Sequence, residues 1–151
     1  MKIRQASHND LITLLDLGEK LYLMEKSFEP LLCFTATETE TRYTKQLKNE
    51  DALFLIAEIE GTIVGYLYAH ADKVEYFDTD KLECEIEVIY IEPKYRGKGL
   101  AQELLQVCID WAHNKNVFCL KTGIYAQNND SIRAFTKLGF SPYHLTLTRN
   151  N

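Results

Sequence analysis

Between residues 90 and 101 the chain reads Tyr90-Ile91-Glu92-Pro93-Lys94-Tyr95-Arg96-Gly97-Lys98-Gly99-Leu100-Ala101. A run of β-forming residues ends, a turn carrying two glycines follows, and an apolar helical series starts at once. Glycine lets a backbone approach a ligand closely, and a helix N-terminus presents unbonded N–H groups at its positive end. Together they make a cradle for phosphate. A P-loop is excluded because Leu100 follows Gly99 where Ser or Thr would have to follow a Lys. A dinucleotide fingerprint is excluded because Gln102 stands where its third glycine belongs. A plain turn with no ligand uses the same residues, and the glycines alone leave the two readings level. Just upstream, Glu85 and Glu87 lie two apart in a strand and so face one side. Such carboxylates accept a proton from an amine, or simply solvate a strand face.

The elements that position these groups are legible from periodicity. Residues 1–6 read as a short edge strand, and 7–10 offer capping side chains before a helix with Leu11, Leu14, Leu15, Leu21 and Tyr22 at helical spacing. Pro30 closes that region, and residues 37–47 read as a second, polar helix. Segments 53–58 and 62–69 are rich in β-formers and flank Glu60-Gly61, the pattern of a hairpin. An acidic stretch, 72–80, leads into a strand over 82–91 that Pro93 ends. The helix after Gly99 carries Leu100, Leu104, Cys108 and Trp111 on one stripe. A strand over 117–124, a helix over 131–138 and a final strand over 143–148 complete the series. This order predicts a mixed α/β or α+β sheet protein.

Composition narrows the class further. The 151 residues include 17 Lys+Arg and 22 Asp+Glu, a formal charge of −5, with 46% hydrophobic and 26% charged residues. That fits one domain spanning 1–151, able to bury its own core. Nine Tyr, seven Phe and one Trp exclude disorder. No apolar run approaches the roughly 20 residues of a membrane span, and the opening MKIRQASHND has no apolar signal region. Cys33, Cys84, Cys108 and Cys119 are far apart, without a CxxC or Cys/His cluster, so free thiols in the cytoplasm are expected and no metal site. The acidic balance argues against a nucleic-acid partner.

With its flanking residues the glycine turn resembles the GNAT superfamily of acyl-CoA-dependent N-acyltransferases. Its [Q/R]-x-x-G-x-[G/A] signature is met by Arg96, Gly99 and Ala101. The downstream Asn128-x-x-Ser131-Ile132-Arg133-Ala134-Phe135-Thr136-Lys137-Leu138-Gly139-Phe140 is similar to the family's N-x-x-A-I-x-x-Y-x-K-x-G-F. The opening Ile3-Arg4-Gln5-Ala6 through Asp10-Leu11 and the hairpin from Glu58 to Gly65 also fit, so the resemblance covers essentially the whole chain.

The resemblance implies a central mixed sheet splayed between the strands at 82–91 and 117–124, flanked by helices. Acetyl-CoA would lie in the splay, its pantetheine against the backbone of Ile89, Tyr90 and Ile91. Its pyrophosphate would sit on the amides of Arg96, Gly97, Lys98, Gly99, Leu100 and Ala101, and Asn128 would bond the pantetheine arm. Lys98 would point to solvent or add charge near the phosphates. Glu87 stands where many aminoglycoside and polyamine acetyltransferases carry their acidic residue, and the N–H near Ile91 would hold the oxyanion. Tyr22 and Phe28, with Glu25, Glu29 and Glu85, would shape the acceptor pocket. Family members are often dimers, which makes a homodimer the expectation by resemblance.

One departure stands out. Phe135 occupies the place of the tyrosine that commonly protonates the leaving thiolate. Phenylalanine has no proton to give, and a thiol of pKa 8.5–10 leaves as thiolate at pH 7 at a cost of roughly 2–4 kcal/mol. Tyr90, Tyr125 and Tyr143 are the candidate substitutes. Cys84 beside Glu85 has no His partner and reads as packing, and His113 and His144 are isolated. The seven acidic residues between Asp72 and Glu87, against two lysines, suit a small cationic amine as acceptor. A peptide lysine or N-terminus, or binding of acyl-CoA without catalysis, are the alternatives.

Overall fold

Residues 1–74 and 80–149 are described by a computed structural model, in which five strands form one sheet in the order β1-β2-β3-β4-β5. The strands are β1 (Lys2–Gln5), β2 (Ala52–Ile59), β3 (Thr62–Lys73), β4 (Leu82–Ile91) and β5 (Val117–Lys121). The helices are α1 (Leu11–Glu25), α2 (Ala36–Gln46), α3 (Leu100–Asn114) and α4 (Asn129–Thr136). Strands β1 to β4 are antiparallel, and β5 joins β4 in parallel through α3, so the sheet is mixed. The Glu60-Gly61 turn joins β2 to β3 with both residues at positive φ, as a tight hairpin requires.

Each face of the sheet has its own core. On one, Leu100, Leu104, Leu105, Cys108 and Ala112 of α3 pack on Leu53, Leu55, Leu67, Cys84, Ile86 and Ile91, and Phe135 of α4 joins them. On the other, Leu11, Leu14, Leu17 and Leu21 of α1 and Tyr43 of α2 cover Phe54, Ile56, Tyr66, Tyr68 and Tyr90. The α1 stripe therefore runs through Leu17, while Leu15 and Tyr22, expected on it, are only half-buried.

The entry to α1 is pinned to the sheet. Arg4 on β1 donates to both oxygens of Asp10 (2.8 and 2.9 Å) and to Glu58 on β2 (3.0 Å). Asp10 also accepts from the Ser7 amide and hydroxyl at 2.7 and 2.9 Å, realising the expected cap.

Two features differ from the sequence expectation. The strand expected over 117–124 ends at Lys121, because β5 pairs with β4 only from Leu82 to Glu85 and then diverges. Residues 143–148, expected as a final strand, form none. A strand needs a partner backbone. Beyond Gly139, at φ +88°, and Phe140, edge-on to Phe135, the chain runs away from its own sheet with residues 141–149 exposed. Of the acidic stretch 72–80, Glu75 and Asp78 lie outside the described residues.

The Arg4 bonds hold the Asp10 carboxyl down at about 2, against the opposing effect of burial. A depressed carboxyl stabilises the fold fully above its unfolded value, 3.8, and that stability is lost as pH falls through about 2. The gap corresponds to roughly 2 kcal/mol. Urea unfolding should find Asp10→Asn less stable than the parent at pH 6, with the difference closing at pH 2.

Candidate active site

The divergence of β4 from β5 opens a cavity of about 400 Å³. Val88 and Ile89 of β4, Gly123, Ile124 and Tyr125 beyond β5, and Leu21, Met24 and Glu25 of α1 line it, and Asn128, Ser131 and Phe135 close its α4 side. Thr122 is the last tie across the gap, its hydroxyl donating to the Ile86 carbonyl at 2.9 Å.

The register of β4 decides which backbone groups face this opening. The Glu92 amide donates to the Val64 carbonyl at 2.9 Å, so in the antiparallel ladder Tyr90 and Val88 also bond β3. The N–H and C=O groups of Ile89 and Ile91 then turn the other way, toward the splay. Ile89 lines the cavity. Ile91 does not, and its carbonyl accepts from the Arg96 Nε at 2.8 Å. Tyr90, expected against a cofactor, is instead buried in the core under α1 with its amide on β3.

Glu87 occupies a bulge. Val88 pairs with Tyr68 and Ile86 with Ala69, which leaves Glu87 without a partner on β3. Its carboxylate has two neighbours that sequence reasoning missed: His70 Nε2 lies 2.9 Å from one oxygen, and Gln46 Nε2 donates to the other at 3.2 Å. The His70 Nδ1 faces the Asp72 carboxylate. A neutral imidazole has one N–H and serves one of these carboxylates; a protonated ring serves both. No motif marks His70, because its place opposite Glu85 depends on the β3–β4 register. Glu85 faces Lys121 across the β4–β5 ladder and lines neither cavity.

A second cavity, about 630 Å³, lies beyond Glu87. Arg42, Lys45 and Lys48 with Gln46, Asn49, Tyr68 and His70 surround it, and Glu87 belongs to both cavities.

The glycine turn presents a row of unbonded backbone donors. Gly97 and Gly99 sit at φ +74° and +84°, and a Cβ added at Gly97 would meet nothing within 4 Å. No side chain caps α3, and among the described residues the amides from Gly97 to Gln102 donate to no protein acceptor. That is the fit a diphosphate requires. Arg96 is different: its amide bonds the Pro93 carbonyl, so the free donors begin at Gly97. Its guanidinium ties the end of β4 to Met24 on α1 (3.4 Å to Sδ). Lys98 is exposed, its ammonium over the Tyr95 ring. The Asn128 Oδ1 caps α4 at the Ser131 amide, 3.2 Å away, which leaves the Asn128 NH₂ as a donor beside the cavity.

Of the expected acceptor residues, Phe28 stacks on Tyr125 and Tyr22 packs edge-on against Phe34, outside the cavity wall. Burial pushes the Glu25 carboxyl up, offset in part by Arg42. Burial, then the Glu25 and Glu29 charges, push the Tyr125 phenol above its usual range, so it keeps its proton at neutral pH. Cys84 and Cys108 are fully buried against each other; the Cys84 contact and burial push the Cys108 thiol up. Neither sulfur reaches a cavity. Among the described residues no group of three or more His, Cys, Asp or Glu could hold a metal ion, and no helix is long and apolar enough to cross a membrane.

A close approach holds β4 in place beside the opening. A Cβ on Gly65 would lie 2.4 Å from the Ile91 Cδ1 and 2.6 Å from the Tyr90 carbonyl oxygen. Gly65→Ala should cost about 1–3 kcal/mol in denaturant unfolding, because a backbone atom must move.

Known proteins share this fold. The family model described as "Acetyltransferase (GNAT) family" matches residues 20–140. An uncharacterised N-acetyltransferase of Methanocaldococcus jannaschii is 22% identical over 91% of this chain and 59% of its own length. The L-methionine sulfoximine/L-methionine sulfone acetyltransferase of Salmonella typhimurium is 36% identical over 58% of this chain and 49% of its own. The spermidine N(1)-acetyltransferase of Escherichia coli is 26% identical over 93% and 73%. The chain thus spans about half to three-fifths of the length of the first two. Among solved structures, a Bacillus halodurans protein superposes with a TM-score of 0.90 at 18% identity over 100% of both chains. An aminoglycoside N-acetyltransferase in complex with CoA gives 0.74 at 20% identity over 99% of each.

Proposed function

The chain belongs to the acetyltransferase (GNAT) family, and from that membership we propose that it transfers an acetyl group from acetyl-CoA to the primary amine of a small molecule. The observation that carries this reading is the joining of an uncapped, glycine-led helix N-terminus to a splayed strand whose Ile89 backbone faces the same cavity as Glu87. The amides of Gly97 to Ala101 would hold the CoA pyrophosphate, and Ile89 and Asn128 the pantetheine arm. The cofactor supplies the activated thioester; the chain supplies orientation and proton handling. A homodimer belongs to the same reading.

Direct attack within a ternary complex is the step these residues favour. An acyl-enzyme needs an accessible nucleophile, and Cys84 is sealed in the core away from both cavities. An amine of pKa near 10.4 is neutral in only about one molecule per thousand at pH 7, so a base must take its proton. Glu87 fits that role through a water, its two oxygens fixed by His70 and Gln46. The Ile89 amide faces the opening as an oxyanion donor, with Ile91 pointing the same way beyond the cavity. Phe135 forms a wall without a proton. Of the three candidate tyrosines, Tyr90 is buried on the far face and Tyr143 is exposed on the C-terminal segment, whereas Tyr125 lines the cavity. The protonated Tyr125 phenol is therefore the donor to the leaving thiolate.

The acceptor reading rests on the cavity wall. Glu25 and Glu87 beside Leu21, Met24 and Phe135 suit an amine carrying positive or apolar groups. The basic second cavity favours another reading: an amino acid whose carboxylate meets Arg42 and Lys45 while its amine reaches Glu87. The named relatives include enzymes of both kinds, for spermidine and for methionine derivatives.

A thiol-release assay with acetyl-CoA against polyamines, amino acids, aminoglycosides and peptides tests the proposal. CoA binding with no release across the panel would overturn the catalytic reading, and release with peptides alone would move it to protein acetylation. Loss of amino-acid activity but not polyamine activity in Arg42→Ala would select the second acceptor reading. Glu87→Gln should lower kcat/KM on the order of 100-fold, most strongly at low pH where the amine is protonated; an unchanged pH–rate profile removes Glu87 as base. Tyr125→Phe should reduce kcat with little change in KM for acetyl-CoA, measured by the same assay.

A further inference from the structure

One imidazole stands between two carboxylates at the edge of the site. His70 on β3 has its Nε2 2.9 Å from a Glu87 oxygen and its Nδ1 against Asp72, two residues further along the same face. Among the described residues, His70 is the only basic side chain paired with either carboxylate. Tyr68 leans on the ring from β3 at 6.1 Å, and Ala52 of β2 and Glu85 of β4 stand opposite it. Arg42, Lys45 and Lys48 line the same cavity as His70.

The number of protons on this row decides what it can do. A charged ring fills both contacts with N–H groups; a neutral ring fills one and leaves the other as two facing lone pairs. Glu87 already has the Gln46 amide, whereas Asp72 has no other side-chain or backbone donor among the described residues. The single N–H of the neutral ring therefore belongs on Nδ1, and the contact between Nε2 and Glu87 Oε1 has room for one proton. Imidazole holds a proton roughly 100-fold more tightly than a carboxylate does, and a base works best when it binds its proton near the working pH. A carboxylate alone is a weak base for an ammonium group; one backed by a neutral imidazole is stronger.

We propose that His70, held by Asp72, stores the proton that Glu87 removes from the acceptor amine. The inference rests on the acetyl-transfer reading with Glu87 as base. The proton reaches Glu87 Oε1 through a water and the new O–H turns to Nε2. That O–H bond breaks, its electron pair staying on oxygen, as the Nε2 lone pair forms an N–H bond. Glu87 is then a carboxylate again, and the imidazolium donates to both carboxylates across the two contacts described above. The His70 side chain is 23% exposed and borders the second cavity, so bulk water takes the Nε2 proton and restores the neutral ring. His70 touches no reacting atom: it is a positioning residue that acts through Glu87, and only while neutral. A ring that merely propped Glu87 would be most useful when charged, because the charged form donates to it. The two roles have opposite pH dependence.

Kinetics against pH separate them. In the thiol-release assay, His70→Gln keeps a donor for Glu87 but cannot store a proton, and kcat/KM should fall about tenfold at pH 8.5. The difference should close toward pH 5.5, as protons from solvent occupy the parent's ring. In His70→Ala, added imidazole should restore activity at pH 8.5, and pyrazole, the same shape but a far weaker base, should not. Ring nitrogen NMR of the full chain at pH 8.5, assigned by the signals lost in His70→Gln, should show the Nδ1–H tautomer. A loss that is constant or grows toward acid pH, equal rescue by pyrazole, or an Nε2–H tautomer would each overturn the proposal and leave acetyl transfer intact. A parent that releases no thiol with any amine would remove both.

Discussion

The parting of β4 from β5 is the constraint on which the rest of the molecule turns. A buried backbone N–H or C=O left without a partner costs about as much as a lost hydrogen bond, so a sheet normally stays zipped along its length. Here the ladder stops at Glu85 and Lys121, and the Ile89 backbone faces a cavity. Two hydrogen bonds and one close approach compensate for the gap. Thr122 takes the Ile86 carbonyl, Arg96 takes the Ile91 carbonyl, and Gly65 lets β3 press against the end of β4. What remains unpaired is a short stretch of donor and acceptor backbone suited to an amide-bearing arm.

The bulge at Glu87 follows from the same departure. Without the extra residue, the parity that buries Cys84 and Ile86 under α3 would also bury Val88 there. With it, Val88 and Tyr90 turn under α1 while Ile89 and Ile91 stay on the α3 side. The residue absorbed by the bulge is the one whose carboxylate meets His70 and Gln46 and belongs to both cavities. A bulge re-aims a side chain and shifts the faces that the residues beyond it present, and here the re-aimed side chain is the charged one.

Much of this is legible in the sequence, and the reason differs by residue. Strand 82–91 is legible to its limits because Pro93 stops it and its apolar positions are dense. The glycine turn is legible because positive φ twice in three residues has few other sources. The bulge is not, since one unpaired residue leaves no mark on composition, and with it go the positions of His70 and Gln46. Adjacency in sequence suggests Tyr90 beside the cofactor; the alternation of a strand puts its ring and its amide elsewhere. The strand expected over 143–148 has the right pattern, but pattern specifies a face and not the partner that covers it.

Charge is distributed so that the two sides of the site stay chemically distinct. On the turn before α3 the free donors are backbone amides, dipoles held by the fold that carry no net charge. The lysine there, Lys98, stands in solvent over Tyr95, and the arginine, Arg96, is engaged in holding β4 to α1. Carboxylates appear instead on the cavity wall, at Glu25 and Glu87. Glu87 has His70 and Gln46 beside it and no Lys or Arg ion pair among the described residues. In the reading proposed above, a water at its remaining lone pairs would carry the acceptor's proton.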